Sequence, residues 1–395
     1  MGTIFVFLVI LLIAVGILSG QHFVFTVLYL LVGVYLIGRF WSTRVIQSIS
    51  FQRKYTHHAF PKEEIPVDIQ LVNRSLLPAV WLRVQDLLPI EITINRSFQQ
   101  ALTLGPHEKV TLRYTLTPMK RGYYPVGPLQ LMTGDLLGLA TDERRELKPE
   151  YLTVYPRVVP LTELGLPSRS PLGTLKHTQP VFEDPTRPAG KRDYQRGDSL
   201  RRIDWKASAT IGRLQVKQFE PSIALETVIF LNLNGEEYYY RSRVDATELA
   251  IVVAASIANW SIQNKQSAGL ITNGLDPIGK DGLAQPVPPE KGRAHLMRLL
   301  ETLARVKVSQ TSRAAQMLRQ HRGHLSWGST LVVVTGQVGE DLFDEFFQAQ
   351  RAGMSIVVIL CGEATHADEV NRRARKYGIP VYSLWAETDV ELMHS

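Results

Sequence analysis

Hydrophobic and polar positions divide the chain into three regimes. Residues 4–18 and 23–38 are nearly continuous apolar runs separated by Ser19-Gly20-Gln21-His22. Each is close to the roughly 17 residues needed to cross the hydrocarbon of a bilayer as a helix, so the pattern predicts a tight transmembrane hairpin. From about residue 41 to 160 the pattern changes to short alternating runs closed by turn residues: 67–72 ends at Asn73-Arg74-Ser75, 80–84 alternates again, and 110–116 repeats the pattern before Pro118. Alternation means one buried face and one wet face. With the turn-like 121–128 leading through Leu129-Gln130-Leu131 to Thr133-Gly134-Asp135, these runs predict a small antiparallel β-sandwich. The third regime holds unbroken apolar runs at 227–231, 331–334 and 356–360. Among them, 245–263, 291–306, 310–322, 340–352 and 364–377 place apolar residues at three-to-four spacing, as in Leu296, Leu299, Leu300 and Leu303. Strands alternating with helices predict a mostly parallel sheet covered on both faces.

The fold class expected is therefore a membrane-anchored α+β multidomain chain. Its parts are a transmembrane hairpin over 1–42, a β-sandwich over 43–160, a connector over 161–220 and an α/β domain over 221–395. Prolines at 160, 167, 171, 180, 185 and 188, without an apolar period, mark the connector as an extended segment that builds no core. A cleaved signal peptide would need a basic start and no second apolar run. Here no Asp, Glu, Lys or Arg precedes Arg39, and the second run follows at once. Arg39, Arg44, Arg53 and Lys54 follow that run while the hairpin turn carries no full charge. The positive-inside bias then places both termini and the soluble domains in the cytoplasm, below a plasma membrane crossed twice. The lone Cys361 excludes an intramolecular disulfide and fits a reducing compartment.

Charge changes the picture at one place. Residues 187–217 hold nine basic residues against three acids, in a chain whose formal net charge is +7. Three readings compete. In the first, Arg192, Arg201 and Arg202 pair with Asp193, Asp198 and Asp204 over Tyr194 and Trp205, giving a self-satisfied structural network. In the second, arginines beside aromatic rings hold phosphate or stack on bases. In the third, the basic face meets anionic lipid. Locally, Asp198 stands where an N-cap would open a short helix through Leu200–Ile203, Gly212 suits a left-handed helix end, and Leu214, Val216 and Phe219 suggest a strand entering the α/β domain.

Groups for catalysis are not apparent. The ten histidines form no HExxH pattern, and His57-His58 reads as a solvated strand end. Cys361 after a buried strand reads as a packing residue. The loop Asn232-Leu233-Asn234-Gly235-Glu236 at the end of the first parallel strand is where ligands of such sheets bind. It offers a single carboxylate, so a polar turn is favoured over a divalent-cation site.

The pattern Arg192-x-Tyr194-x-x-Gly197-Asp198-x-x-Arg201-x-Ile203-Asp204-Trp205-Lys206-x-x-Ala209, followed by Leu214-x-Val216-Lys217, closely resembles the signature of the bacterial domain-of-unknown-function 58 family. The resemblance implies a transmembrane hairpin, a sandwich carrying the Arg121–Pro128 turn, and a von Willebrand factor A-like domain. Members are often encoded beside MoxR-type AAA+ ATPases, which implies a membrane-bound adaptor of such a chaperone and not an enzyme. Where related metal-binding A domains carry Asp-x-Ser-x-Ser, this chain has Asn232, Asn234 and Glu236, and their later Thr-Asp-Gly is Thr335-Gly336-Gln337. Thr210 also replaces an Arg that commonly closes the signature. The expectation is a scaffold without cofactor, metal or nucleic acid, with Lys191 and Arg196 facing outward and the motif serving interdomain order or partner docking. A metal-dependent receptor using the degenerate loop at 232–236, and a hydrolase using Asp193, Asp198 and Asp204, are the alternatives.

Overall fold

The structure is a computed structural model that describes residues 2–93, 97–134, 141–145, 149–160, 183–195, 203–221, 226–310, 312–363 and 367–385. It is an α+β protein with N-terminal apolar helices, several antiparallel sheets and a C-terminal, mostly parallel sheet. The chain divides into two compact units, Met1–Arg157 and Val158–Ser395.

In the first unit, α1 (Gly2–Ser19) and α2 (His22–Ser48) form a hairpin in which the rings of Phe5 and Tyr35 stack at 4.1 Å. By length and composition α2 is long and apolar enough to cross a membrane. Strands β1 (Ile49–Lys54), β2 (His58–Ala59), β3 (Ile65–Asn73), β4 (Ala79–Leu87), β5 (Ser97–Leu104), β6 (Lys109–Leu116), β7 (Gly122–Val126), β8 (Leu129–Gly134), β9 (Thr141–Arg145) and β10 (Glu150–Val154) follow. They make sheets of order β1-β3-β6, β2-β10-β7 and β5-β4-β8-β9. The alternation at 67–72 is obeyed along β3, whose Val67, Ile69 and Leu71 enter one core with Leu82, Val84, Leu131 and Leu152. The segment 121–128, expected as a turn, instead contains β7, paired with β10.

Helix α2 continues ten residues beyond the apolar run that ends at residue 38, so helix replaces the expected start of the β region. Ser42, Val45 and Ile46 are buried at helical spacing because the sheets supply their partners. Asp142 on β9 accepts hydrogen bonds from the hydroxyls of Ser42 and of Thr43, the latter at 2.9 Å. The Arg144 guanidinium donates to the carbonyls of Ile46, Gln47 and Ile49 at 3.4, 3.4 and 2.8 Å. A helix leaves its last carbonyls without intrahelical donors, and here a cation from the neighbouring strand satisfies them.

Arg53, counted in the sequence among the charges flanking the membrane run, is buried. Its guanidinium holds Asp86 through Nε at 3.0 Å and Nη2 at 2.8 Å, and reaches Glu150 at 3.3 Å, while the Tyr114 hydroxyl donates to Asp86 at 2.7 Å. This group ties β1, β4, β6 and β10 together.

The second unit opens with a two-stranded ribbon, β11 (Glu183–Asp193) against β12 (Gln215–Pro221), joined in part by α3 (Trp205–Ile211). Two findings differ from expectation. Residues 183–193 of the proline-rich connector form a strand, which a two-stranded edge permits because Pro then removes no obligatory ladder bond. The strand after Gly212 pairs with β11 and does not enter the large sheet. Then come β13 (Glu226–Leu231), α4 (Arg243–Gln263), β14 (Ser267–Thr272), β15 (Val287–Glu290), α5 (Arg293–Arg305), α6 (Ala314–Arg322), β16 (Thr330–Thr335), α7 (Glu340–Arg351), β17 (Ser355–Cys361), α8 (Ala367–Lys376) and β18 (Val381–Leu384). The sheet order is β15-β14-β13-β16-β17-β18, with only β15 antiparallel. Val228, Phe230, Val333 and Val358 meet α6, α7 and α8 on one face. Helix α4 packs across β13, β14, β16 and β17, which accounts for its apolar character nearly all round. Cys361 ends β17 inside this core, where burial pushes its thiol pKa up and keeps it protonated.

Removing one partner of a buried ion pair strands the other. Asp86→Ala is expected to cost about 3–5 kcal/mol, and Tyr114→Phe about 1.5–3 kcal/mol, in urea unfolding of the detergent-solubilised chain. Arg53→Met combined with Asp86→Leu should recover much of the Asp86→Ala loss.

Candidate functional site

The ribbon and α3 carry the motif at residues 192–217. Asp204 caps α3: its side chain accepts from the Ala207 amide at 3.1 Å and its amide donates to the Gln215 carbonyl at 2.8 Å. Gly212 closes the helix in the left-handed region at φ 74°, its amide donating to the Ser208 carbonyl at 2.9 Å. Ile203 bridges Val216 and is buried, and the Tyr194 amide donates to the Leu214 carbonyl at 2.9 Å. Gly197, Asp198, Arg201 and the neighbouring Arg196, Leu200 and Arg202 lie outside the described residues.

Of the expected arginine–aspartate network, Arg192, Asp193 and Asp204 are among the described residues, whereas Asp198, Arg201 and Arg202 are not. Asp204 pairs with Lys191 at 2.9 Å, and this bond, with the Ala207 amide, holds its carboxyl below the usual carboxylate range. Lys191 lies directly across from Lys217 in the ribbon, so the carboxylate offsets a repulsion built into the register. Arg192 donates to the Asp193 carbonyl at 3.2 Å, and the Asp193 side chain accepts from the Gln215 side-chain Nε2. Tyr194 is half-buried, but Trp205 does not pack beneath: it is 68% exposed, and Lys206 beside it is also exposed. Ile211 and Leu214 are exposed as well. Lys191 is half-exposed, consistent with its expected outward position. Gln215 and Ser208 were missed by sequence reasoning. The Ser208 hydroxyl donates to the Asp204 carbonyl at 2.7 Å and accepts from the Gln215 amide at 2.8 Å, a role that no local residue pattern announces.

The second candidate is the C-terminal edge of the parallel sheet, where β13 and β16 leave in opposite directions and ligands of such sheets bind. Buried Asn232 is its centre. Its amide nitrogen donates to Glu237 at 2.9 Å and to the Thr335 hydroxyl at 2.8 Å, and its oxygen accepts from the Asn234 amide at 3.0 Å and the Asn273 side chain at 2.8 Å. The Asn234 side-chain oxygen caps the next turn by accepting from the Glu236 amide at 3.0 Å, and its nitrogen donates to the Ser312 carbonyl at 3.2 Å. Thr335 donates to the Gln337 carbonyl at 3.0 Å. The Tyr238 hydroxyl donates to the Asn232 carbonyl at 2.6 Å. Its ring leaves no room for a side chain at Gly336, where a Cβ would lie 2.4 Å from the ring.

Glu237, not the Glu236 of the sequence reading, is the acid at this edge. It also accepts from the Ala314 amide at 3.0 Å, but burial dominates and raises its pKa. These donors do not fit a divalent cation. The carboxylate and hydroxyl nearest Asn232 face its amide hydrogens, where a metal site needs free oxygens, and among the described residues no group of three or more His, Cys, Asp or Glu stands ready for an ion. Of the hydrolytic trio, Asp193 and Asp204 are engaged as described, and Asp198 lies outside the described residues.

Residues 190–365 match the model of the family described as "Protein of unknown function DUF58". The chain thus carries a DUF58 family domain, spanning most of the ribbon and the sheet up to β17. It is similar to the uncharacterized protein YeaD of Bacillus subtilis (strain 168), with 28% identity over 314 residues, 76% of this chain and 72% of that one. It is also similar to the uncharacterized protein Rv1480 of Mycobacterium tuberculosis, with 30% identity over 119 residues, 30% of this chain and 35% of that one. Among solved structures, proximal thread matrix protein 1 from the mussel byssus overlaps 44% of this chain and 46% of its own at 10% identity, with a TM-score of 0.33.

Gly336→Ala is expected to lose about 1–3 kcal/mol by overpacking against Tyr238, read as a lowered urea midpoint. A raised carboxyl pKa means that the folded chain holds the proton more tightly than the unfolded one. Stability from Glu237 is therefore full below the ordinary carboxylate value and declines as pH rises through the raised one. Glu237→Gln should flatten that decline and be at least as stable at neutral pH, as followed by melting temperature against pH. Asp204 has the opposite sign: its contribution is present above the ordinary carboxylate value and is lost as pH falls through the depressed one. Asp204→Ala should accelerate hydrogen exchange of the first amides of α3.

Proposed function

We propose that this chain is a non-enzymatic scaffold or adaptor, anchored in the plasma membrane by the α1–α2 hairpin with both termini cytoplasmic, that binds a protein partner through its DUF58 domain. The three sheets sharing one core in the first unit support a β-sandwich reading. The strand order of the large sheet, with its antiparallel second edge strand β15, supports a von Willebrand factor A-like domain. A MoxR-type AAA+ ATPase is the partner that the family resemblance favours.

One observation carries the reading: Trp205, inside the family-matched segment, is held outward at 68% exposure on a helix whose cap, end and supporting strand are all satisfied. An aromatic side chain displayed on a rigid support is the usual energetic centre of a protein interface. Lys206 beside it and Lys217 on β12 give this surface a basic rim suited to an acidic partner. The metal-receptor alternative lacks such support, since both asparagine oxygens of the 232–236 loop already accept hydrogen bonds.

Affinity purification from native membranes, with mass spectrometry of the recovered proteins, tests the proposal. Trp205→Ala should reduce recovery of the ATPase in line with a hot-spot loss of at least about 2 kcal/mol, roughly 30-fold in affinity, with an unchanged melting temperature. Equal recovery by the variant removes Trp205 from the interface. A native complex without the ATPase removes that partner.

A further inference from the structure

A second surface lies at the foot of α2. The turn between β3 and β4 runs Arg74-Ser75-Leu76-Leu77-Pro78, and Leu76 at its tip is 79% exposed. This turn is rigidly built. Buried Asn73 donates from its side chain to the carbonyls of Leu77 and Gly105, both at 2.9 Å, and accepts from the Ser75 amide at 3.0 Å and hydroxyl at 2.8 Å. The Ser75 hydroxyl also reaches the Leu77 carbonyl at 2.8 Å. Leu77 packs against the core while its neighbour Leu76 is turned out. So many internal bonds around an outward leucine make its exposure a fixed property of the turn.

The height of the turn along α2 is also fixed. The Arg74 amide donates to the Ser48 carbonyl at 3.1 Å, at the end of the helix, and the Trp41 indole donates to the Pro78 carbonyl at 2.9 Å. The turn therefore climbs beside α2 toward its apolar stretch. Trp41 lies three residues past Gly38, about 4.5 Å along a helix axis. Tryptophan at that depth belongs to the headgroup region of a bilayer. Above this level Phe40, Ile37 and Leu36 are exposed, whereas Ser42, Val45 and Ile46 are covered by the sheets. Arg39 and Arg44 carry positive charge on either side of this level, complementary to anionic headgroups.

We propose that the β3–β4 turn is a second membrane contact, with Leu76 seated in the interfacial region of the leaflet that α2 leaves and Arg39 and Arg44 against its headgroups. The inference rests on α2 spanning the bilayer. With the Asp142 and Arg144 bonds to the helix, this contact fixes the first unit against the membrane in one orientation.

The test uses the full-length chain with Cys361→Ala, reconstituted in phosphatidylcholine vesicles containing phosphatidylglycerol. Leu76→Cys, Leu30→Cys on α2 and Met119→Cys each carry an environment-sensitive fluorophore. Met119 is another exposed apolar residue, just beyond the opposite end of β3, whose Ile65 pairs with Leu116; eight residue steps separate Ile65 from Asn73, about 26 Å of strand. Leu76 is exposed, so its replacement removes no packing. The probe at 76 is expected to emit at shorter wavelength than that at 119, to lose most of its intensity with lipids brominated near the headgroup, and to resist aqueous iodide. The probe at 30 should be quenched by deeply brominated lipids. Deep quenching at 30 with iodide-accessible emission at 76 overturns the contact and leaves the span standing. Blue-shifted emission at 76 without lipid quenching also overturns it, because protein then covers the leucine. Iodide-accessible emission at 30 overturns the span and the contact together.

Discussion

Buried polar groups have to be answered from within the fold, and Asn232 is where that constraint is most concentrated. Its side chain stands at the end of the central strand β13 and hydrogen-bonds to Asn234, Glu237, Asn273 and Thr335. An amide can do this because it donates and accepts at once; an aspartate at the same place would only accept, and would present Glu237 with a second negative charge. The edge of the sheet is thus closed by hydrogen bonds among neutral groups, with Glu237 sheltered beneath them and Tyr238 lying against Gly336.

The same constraint governs the first unit. Arg53 and Asp86 satisfy one another inside the core, and Arg144 supplies donors to the otherwise unanswered carbonyls at the end of α2. The consequence is mechanical. Helix α2 passes into the sheets without a flexible linker, so the apolar helix and the β-rich part of the first unit form a single body.

Much of this was legible along the chain. The two apolar runs became helices, and the alternation at 67–72 and the buried runs at 227–231, 331–334 and 356–360 became strands, because local side-chain pattern suffices for each. The family resemblance rested on a motif long enough to be specific, and residues 190–365 carry that domain. Less visible was how the motif folds. Asp204 caps the helix at 205–211 and pairs with Lys191, and Trp205 faces outward. Charge spacing names possible partners, but register across the ribbon selects among them.

Sequence alone determined the helix or strand character of the long periodic segments, where apolar length suffices for a membrane, and that the loop at 232–236 lacks the acids of a metal site. These properties are local, set by side-chain period and residue type. The tertiary structure decided the extension of α2 to Ser48, the burial of Arg53, the strand at 183–193, the role of Glu237 over Glu236, and the seating of Pro78 beside Trp41. Each depends on a partner tens of residues away or on the register between strands. Hydrogen-bond saturation selects such partners only once the chain has brought them together.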